Sequence, residues 1–466
     1  MGKSYFYTMR LWSFFLILFL YACTKEGYLN SPDARLRVSA DTLQFDTVFV
    51  TAGSTYRSFQ LVNEYDQALR ITSARIGGGT QSPFKLNLNG RTGTRFENLV
   101  VEKKDSLYGW IQVNIDPNSI NGSFVIRDSL VIELNGRIQK IQLEAWGRNA
   151  HFLRNHRITQ SQTWINDKPY VILGGLTIEP NATLTLSPGT QLYMHADAAL
   201  LVKGTIQALG GADPTQRIRL QGDRLDEPYR NFPAAWPGIY IQPGSTNNIF
   251  RYTTIRQAYQ AIVSQQGANG STPVLKLEQC EIDNAYDAGL IGLNTSIIAE
   301  NCLISNCGQN AVLIGGGHYQ FTHCTMVSYA NRYIDHQKPV LTVTNFSDNR
   351  ADPLTAQFTN CIFWGEGGTV EDEVLLSKNS TAPFQANFRN VLWKMRTAPA
   401  LATVTQAIQN QSPLFDSIQA SNGNYNFRLR TGSPALNAGI VTGLTVDLDG
   451  RPRAVGLPDL GCYEKQ

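Results

Sequence analysis

Between about residues 275 and 330 the chain repeats its apolar positions every 22 residues. Leu275, Ile297 and Tyr319 share that spacing, as do Leu277, Ala299 and Phe321, then Cys280, Cys302 and Cys324, then Ile282, Ile304 and Met326, and finally Leu290 and Val312. A unit this short cannot hold two helices, and its β-branched runs sit between turn residues. It predicts strand, corner and strand, stacked coil upon coil. The cores around the cysteines read QCEI, NCLI and HCTM. A fourth, NCIF at Cys361, follows after 361 − 324 = 37 residues, so 37 − 22 = 15 residues loop out of one turn. Asn284, Asn306, Ser328 and Gly365 occupy matching places after each core, and their residue types predict a recurring corner there.

Strand alternation gives the stack a direction. With Cys280 and Ile282 inward, the outward column is Glu281 and Asp283, then Leu303 and Ser305, Thr325 and Val327, Ile362 and Trp364. Its carboxylates give way to apolar side chains as the stack rises. A bare apolar stripe of that size calls for a cover: a loop, a neighbouring domain or a ligand.

Other stretches carry other patterns. From Val38 to Gly147, short runs (Phe45, Val48 and Val50; Phe59 and Leu61; Ile71 and Ile76; Phe84, Leu86 and Leu88) alternate between Gly, Asn and Ser, as strands of a sandwich do. Asn135 and Gly136 between two such runs predict a hairpin with a type I′ turn. Near the N-terminus, Lys3 and Arg10 precede an apolar run at 11–20 that is too short to span a bilayer and reads as a signal peptide. The expected organisation is a signal at 1–23, a polar tether at 24–36, an immunoglobulin-like β-sandwich at 37–150, a right-handed parallel β-helix at 151–395, and the end of the stack with a cap at 396–466.

Three stretches resemble known families. Leu20, Tyr21, Ala22 and Cys23 resemble the bacterial lipobox. That resemblance implies lipidation at Cys23 and a membrane partner, with the protein on an outer membrane and its face undecided. The opening LTIEPNATLTLSPGT at 176–190, WPGI at 236–239 and NCLISN at 301–306 resemble right-handed β-helices of the pectate-lyase-like superfamily. SPLFDS at 412–417, LRTGSPALNAG at 429–439 and DLDGRPRAVGLPDLGCYE at 447–464 resemble the choice-of-anchor-Q segment of secreted β-helix proteins, which implies a cap over the last coil.

Composition narrows the function classes. The 40 basic and 37 acidic residues nearly cancel and form no long like-charge run, which argues against a nucleic-acid partner. Cys280, Cys302, Cys307, Cys324, Cys361 and Cys462 remain beyond the lipobox. A vertical column of buried thiols ~4.8 Å apart explains the spacing without disulfides, and no C-x-x-C pair suggests a metal.

A lyase or hydrolase reading needs residues, because a fold does not license it. The outward column lacks a layered carboxylate floor, and Gly315, Gly316, Gly317 and His318 only loosely resemble the GHG motif of polygalacturonases. The better candidate is the insertion after Ser328. Arg332 or Lys338 would be the base and His336 the acid, while Tyr319, His323, Tyr333, Asp335 and Trp364 would bind. DLDG at 447–450 is read as a turn, since the later ligands of a Ca²⁺ loop are missing; Ca²⁺ is unsupported and no cofactor is expected. Asp223, Asp226 and Glu227 read as a solvated acidic face. The function expected is a monomeric envelope lipoprotein whose stack binds or scaffolds polysaccharide or a surface partner. The alternative is a polysaccharide lyase or glycoside hydrolase.

Overall fold

The computed structural model describes residues 27–49, 56–114, 123–148, 150–225, 229–265, 273–347, 350–379, 382–453 and 456–466. The signal segment and Cys23 lie outside the described residues, and no described helix is long and apolar enough to cross a membrane. The chain divides into two compact units, Met1–Asn149 and Ala150–Gln466.

The first unit is a β-sandwich of two five-stranded sheets. One runs Arg37–Val38, Arg57–Val62, Ser106–Val113, Phe84–Leu88 and Arg91–Gly93. The other runs Thr42–Phe49, Arg137–Arg148, Ser123–Leu134, Leu69–Ile76 and Arg95–Val101. Alternation does the sorting: along Phe84–Leu88 the residues Phe84, Leu86 and Leu88 are buried, and Phe84 meets Phe45 at 5.6 Å in the core. The predicted hairpin is present, with Leu134 opposite Arg137 and both Asn135 and Gly136 at positive φ. The expected tether is not free along its described length. Ala34 and Leu36 are buried, Leu29 N–H donates to Ala68 O, and Asn135 donates to the carbonyls of Leu29 and Ser31. Two apolar side chains suffice to draw this segment onto the sandwich.

The second unit is a parallel β-helix whose 24 strands are joined by parallel pairings into three faces. One face contains Leu275–Glu278, the second half of Ala288–Glu300, the second half of Ala311–Thr322, and Leu354–Thr359. A second contains Glu281–Asp283, Leu303–Ser305, Thr325–Tyr329 and Ile362–Glu366. The third contains Ala258–Gln265, the first halves of Ala288–Glu300 and Ala311–Thr322, then Leu341–Thr344 and Val374–Ser377.

The 22-residue columns hold on the first two faces: Leu275 pairs with Ile297 and then Tyr319, and Ile282 with Ile304 and then Met326. On the third face the period shortens by one. Leu290 pairs with Ala311, so Leu313 points inward and Val312 outward, and a bulge after Leu293 restores the register. The last of the expected apolar columns, Leu290 with Val312, is therefore a misregistration.

Cys280, Cys302, Cys324 and Cys361 form the expected interior ladder, fully buried and unlinked. Burial pushes the thiols of Cys280, Cys302 and Cys324 well above their usual range, which leaves them inert. Immediately before this ladder stands a corner that sequence reasoning missed. Gln279, Asn301, His323, Asn360 and Asn390 all have φ near +50°, a left-handed turn that asparagine tolerates best. The corner that was expected holds at Asn284 and Asn306 but not at Ser328 or Gly365, where the strands run on to Tyr329 and Glu366.

The C-terminal segment departs furthest from expectation. It does not cap the last coil: Ala402–Gln409 pairs only with Phe384–Trp393 among the described residues and is largely exposed. Residues 412–466 lie instead along the second face. Phe415, Phe427, Leu429, Leu448, Leu460, Cys462 and Tyr463 pack on Leu303, Val327, Ile362, Trp364 and Leu392. The outward apolar stripe is thus covered, and by this chain itself. Polar clasps fix the segment along several coils. Arg217 donates to Leu448 O, Gly461 N–H to Asn360 O and Asn390 to Ala438 O, and buried Arg453 donates to Asn301 and Glu464.

Candidate functional site

The extra residues after Cys324 are divided between a loop at 330–340 and a segment carrying the small hairpin of Phe346–Ser347 and Arg350–Ala351. The first loop stands at the corner between the second and third faces, with a cleft on each side and Tyr333 lining both.

The first cleft, about 230 Å³, is built from distant parts of the chain: Asn231 on the loop before Trp236, Arg256, Asp283, Asn284 and Asn306 on successive coils, Asn331 to Tyr333, and Ala420 to Gly423 with Tyr425 from the C-terminal hairpin. Its floor is rigid. Arg256 pairs with Asp283 at 2.6 Å, which raises the arginine's pKa further, while the other Asp283 oxygen accepts from Ser305. Asn284 donates to Asn231 O. Tyr333 is aimed by its own N–H donating to Asn331 Oδ1 and by Phe232, whose ring lies 5.0 Å away. Tyr425 stacks on Phe427 at 5.6 Å, and burial raises its pKa. Arg332 is exposed, 5.8 Å from the Tyr333 ring.

The second cleft, about 290 Å³, is lined by Tyr286, Asp287, Gly308, Tyr333, Ile334, Asp335, Gln337 and Lys338. Asp335 and Lys338 are exposed. Together the clefts offer hydrogen-bonding amides, carboxylates, the exposed cations Arg256, Arg332 and Lys338, and tyrosine rings in concave, solvent-open form, a chemistry suited to polyhydroxylated ligands.

Of the candidate residues, the structure brings Arg332, Tyr333, Asp335 and Lys338 to the clefts and removes the rest. His336 faces inward. Its Nε2 lies 2.8 Å from Glu373 Oε1, both side chains are essentially inaccessible, and Gly365 and Gly368 leave the room the imidazole needs. It is a strut under the loop, so its assignment as the acid is withdrawn. Tyr319 sits in the core of the stack and donates to the carbonyls of Gly292 and Gly316. His323 belongs to the left-handed corner, where Asn360 donates to its Nε2. Trp364, at 6% exposure, lies beneath the C-terminal segment with its indole N–H on Glu366. These three cannot bind a ligand, because strand alternation and the segment's cover hide them.

DLDG is a turn, as expected. Asp447 is buried and accepts from the N–H groups of Asp449, Arg451 and Glu464, while Asp449 pairs with Arg428. Asp223 is bonded to His195 at 2.7 Å rather than solvated, and burial raises its pKa; Asp226 and Glu227 lie outside the described residues. The Gly315–Gly317 run is a backbone bend, and a side chain at Gly317 would strike Thr295 O. Sequence reasoning missed Asn231, Arg256 and the 420–425 hairpin. Asp283 was legible as outward, but nothing in the sequence announced that a hairpin 140 residues later faces it (423 − 283 = 140).

No family model matches the chain, and no curated protein matches it. Among solved structures it is similar to the pectate lyase Pel9A, at 11% identity over 68% of this chain and 86% of that one, with a TM-score of 0.34. It is also similar to the catalytic domain of a GH87 alpha-1,3-glucanase in complex with nigerose, at 9% identity over 77% and 91% of the two chains, with a TM-score of 0.19. A third likeness, at 11% identity and TM-score 0.17, is to a family 123 glycoside hydrolase from Clostridium perfringens. It covers 25% of this chain and spans about a quarter, 26%, of that protein. At these scores the likenesses decide neither substrate nor reaction.

Proposed function

We propose that this chain is a lipid-anchored envelope protein whose β-helix binds polysaccharide at the clefts beside Tyr333. The supporting observation is convergence: the loop at 229–231, two coil corners, the 330–340 insertion and the C-terminal hairpin all deliver polar or tyrosine side chains to one concave surface. Such a surface, held on a rigid stack, is pre-organised for binding.

On a glycan array the protein is expected to retain a defined set of polysaccharides, and Tyr333→Ala is expected to lower affinity ~10-fold while leaving the melting temperature unchanged. Full retention by the variant would remove the clefts from consideration. The rival reading is a lyase, favoured by the exposed cations Arg332 and Lys338 at the cleft walls, either of which could act as base. Release of ultraviolet-absorbing unsaturated product from uronic-acid polysaccharides, lost in Lys338→Ala or Arg332→Ala, would establish it.

Anchoring is read at Cys23, with the protein on an outer membrane. Cys23→Ser is expected to abolish incorporation of an alkynyl fatty acid and to move the protein to the soluble fraction. Protease treatment of intact cells then assigns the face.

A further inference from the structure

Two exposed tyrosines border the second cleft without belonging to any core. Tyr286 is 53% exposed and lines the cleft; Tyr259, one coil away and 43% exposed, stacks against it at 5.9 Å and 26°. Exposed aromatics scatter singly on most surfaces, but these two form a continuous strip that leads out of a cleft. Their backbones are clamped on both sides. Tyr286 N–H donates to Ala258 O, Asp287 N–H to Tyr259 O, and Gln309 N–H to Asp287 O. Gly308 lets the next coil approach, since a side chain there would strike Tyr286 O. Asp287 is oriented by Gln260, which donates to its Oδ2 at 2.7 Å and leaves the other oxygen available.

Charge selects the ligand class. The second cleft carries two carboxylates, Asp287 and Asp335, and one cation, Lys338. A uronate or sulfated sugar placed here would meet like charge, whereas vicinal hydroxyls of a neutral pyranose would donate to the carboxylates and accept from the ammonium. The ring's C–H face would lie on tyrosine.

We infer that the second cleft and the Tyr259–Tyr286 strip form a neutral-sugar subsite that extends the binding surface beyond Tyr333, so the ligand is an oligosaccharide read over several units. This rests on the polysaccharide reading above, and the two can fail separately. The test is calorimetric titration of the whole protein with cello-, xylo- and manno-oligosaccharides of two to six units, alongside galacturono-oligosaccharides of the same lengths. The expected result is affinity for a neutral series that rises with length up to at least four units, with Tyr286→Ala removing ~10-fold of the gain for long oligomers. Tyr286→Trp should restore it. Neutral oligomers that bind equally at every length, or binding indifferent to Tyr286→Ala, would overturn this subsite and leave the polysaccharide reading standing. Retention of galacturonides alone would also overturn it. Binding of none would overturn both.

Discussion

Removing residues 412–466 is expected to make the protein aggregate. The second face carries Leu303, Val327, Ile362, Trp364 and Leu392, all nearly inaccessible and packed against this segment. Each such side chain gains ~1.5–3 kcal/mol from burial, so uncovering five forfeits about 8–15 kcal/mol, as much as a whole domain's usual margin. The stack would retain its hydrogen-bonded coils yet present an apolar flank, and association would follow. Light-scattering detection after gel filtration reads the outcome directly: a monodisperse truncation at the full-length protein's concentration would refute the role given to this segment. A finer probe is Trp364→Ala, which leaves the chain complete and is expected to cost about 3–5 kcal/mol by opening a cavity under the segment. The same substitution in the truncated chain should cost far less, because the cavity's roof is gone.

The distance between sequence and structure is itself physical. The apolar columns were legible because a stack buries the same side of every coil, so the constraint recurs at a fixed spacing and repetition makes it visible. That held for Cys280 through Cys361 and failed by one residue at Leu290, where a bulge resets the register without any sign in the spacing. The need for a cover over Leu303 and Trp364 could be deduced, whereas the identity of the cover could not. Residues 412–466 looked like an end cap because an open last coil also demands one; which demand is met depends on long-range contacts such as Arg453 with Asn301, 152 residues apart. For the clefts, local sequence found the insertion but could not orient it. His336 and Lys338 are two residues apart, yet one is buried on Glu373 and the other is exposed, a difference fixed by the glycines at 365 and 368. Tyr319 and His323 have the chemistry of ligand contacts, but the 22-residue period that Tyr319 shares with Leu275 and Ile297 puts it inside the stack.

His323 makes the fold acid-sensitive in a way that can be isolated. It occupies the left-handed corner between Asn301 and Asn360, fully buried, and accepts at Nε2 from Asn360. Burial, with Arg453 nearby adding like-charge repulsion, lowers its pKa to about 3 from an ordinary value of 6.5. The sign follows from proton uptake. Below pH ~6.5 the unfolded chain binds a proton here that the folded chain refuses until about pH 3, so stability falls as pH falls through that window. The slope approaches ~1.4 kcal/mol per pH unit, for a total on the order of 4–5 kcal/mol. His323→Asn places in the corner the residue its neighbours already use, keeping an amide that suits positive φ while deleting the titration. Urea unfolding at several pH values should give the two proteins near-parallel stabilities above pH 7 and diverging ones below pH 6, the variant losing less by several kcal/mol at pH 4. Identical slopes across that range would mean that His323 is protonated in the fold, and the packing of the C-terminal segment against the corner would have to be looser than its contacts imply. Because His323 lies against that segment, the acid loss should appear first as release of the flank. Protease cleavage near residue 440 at pH 4.5, suppressed in the Asn variant, is the local signature that separates this route from general acid unfolding.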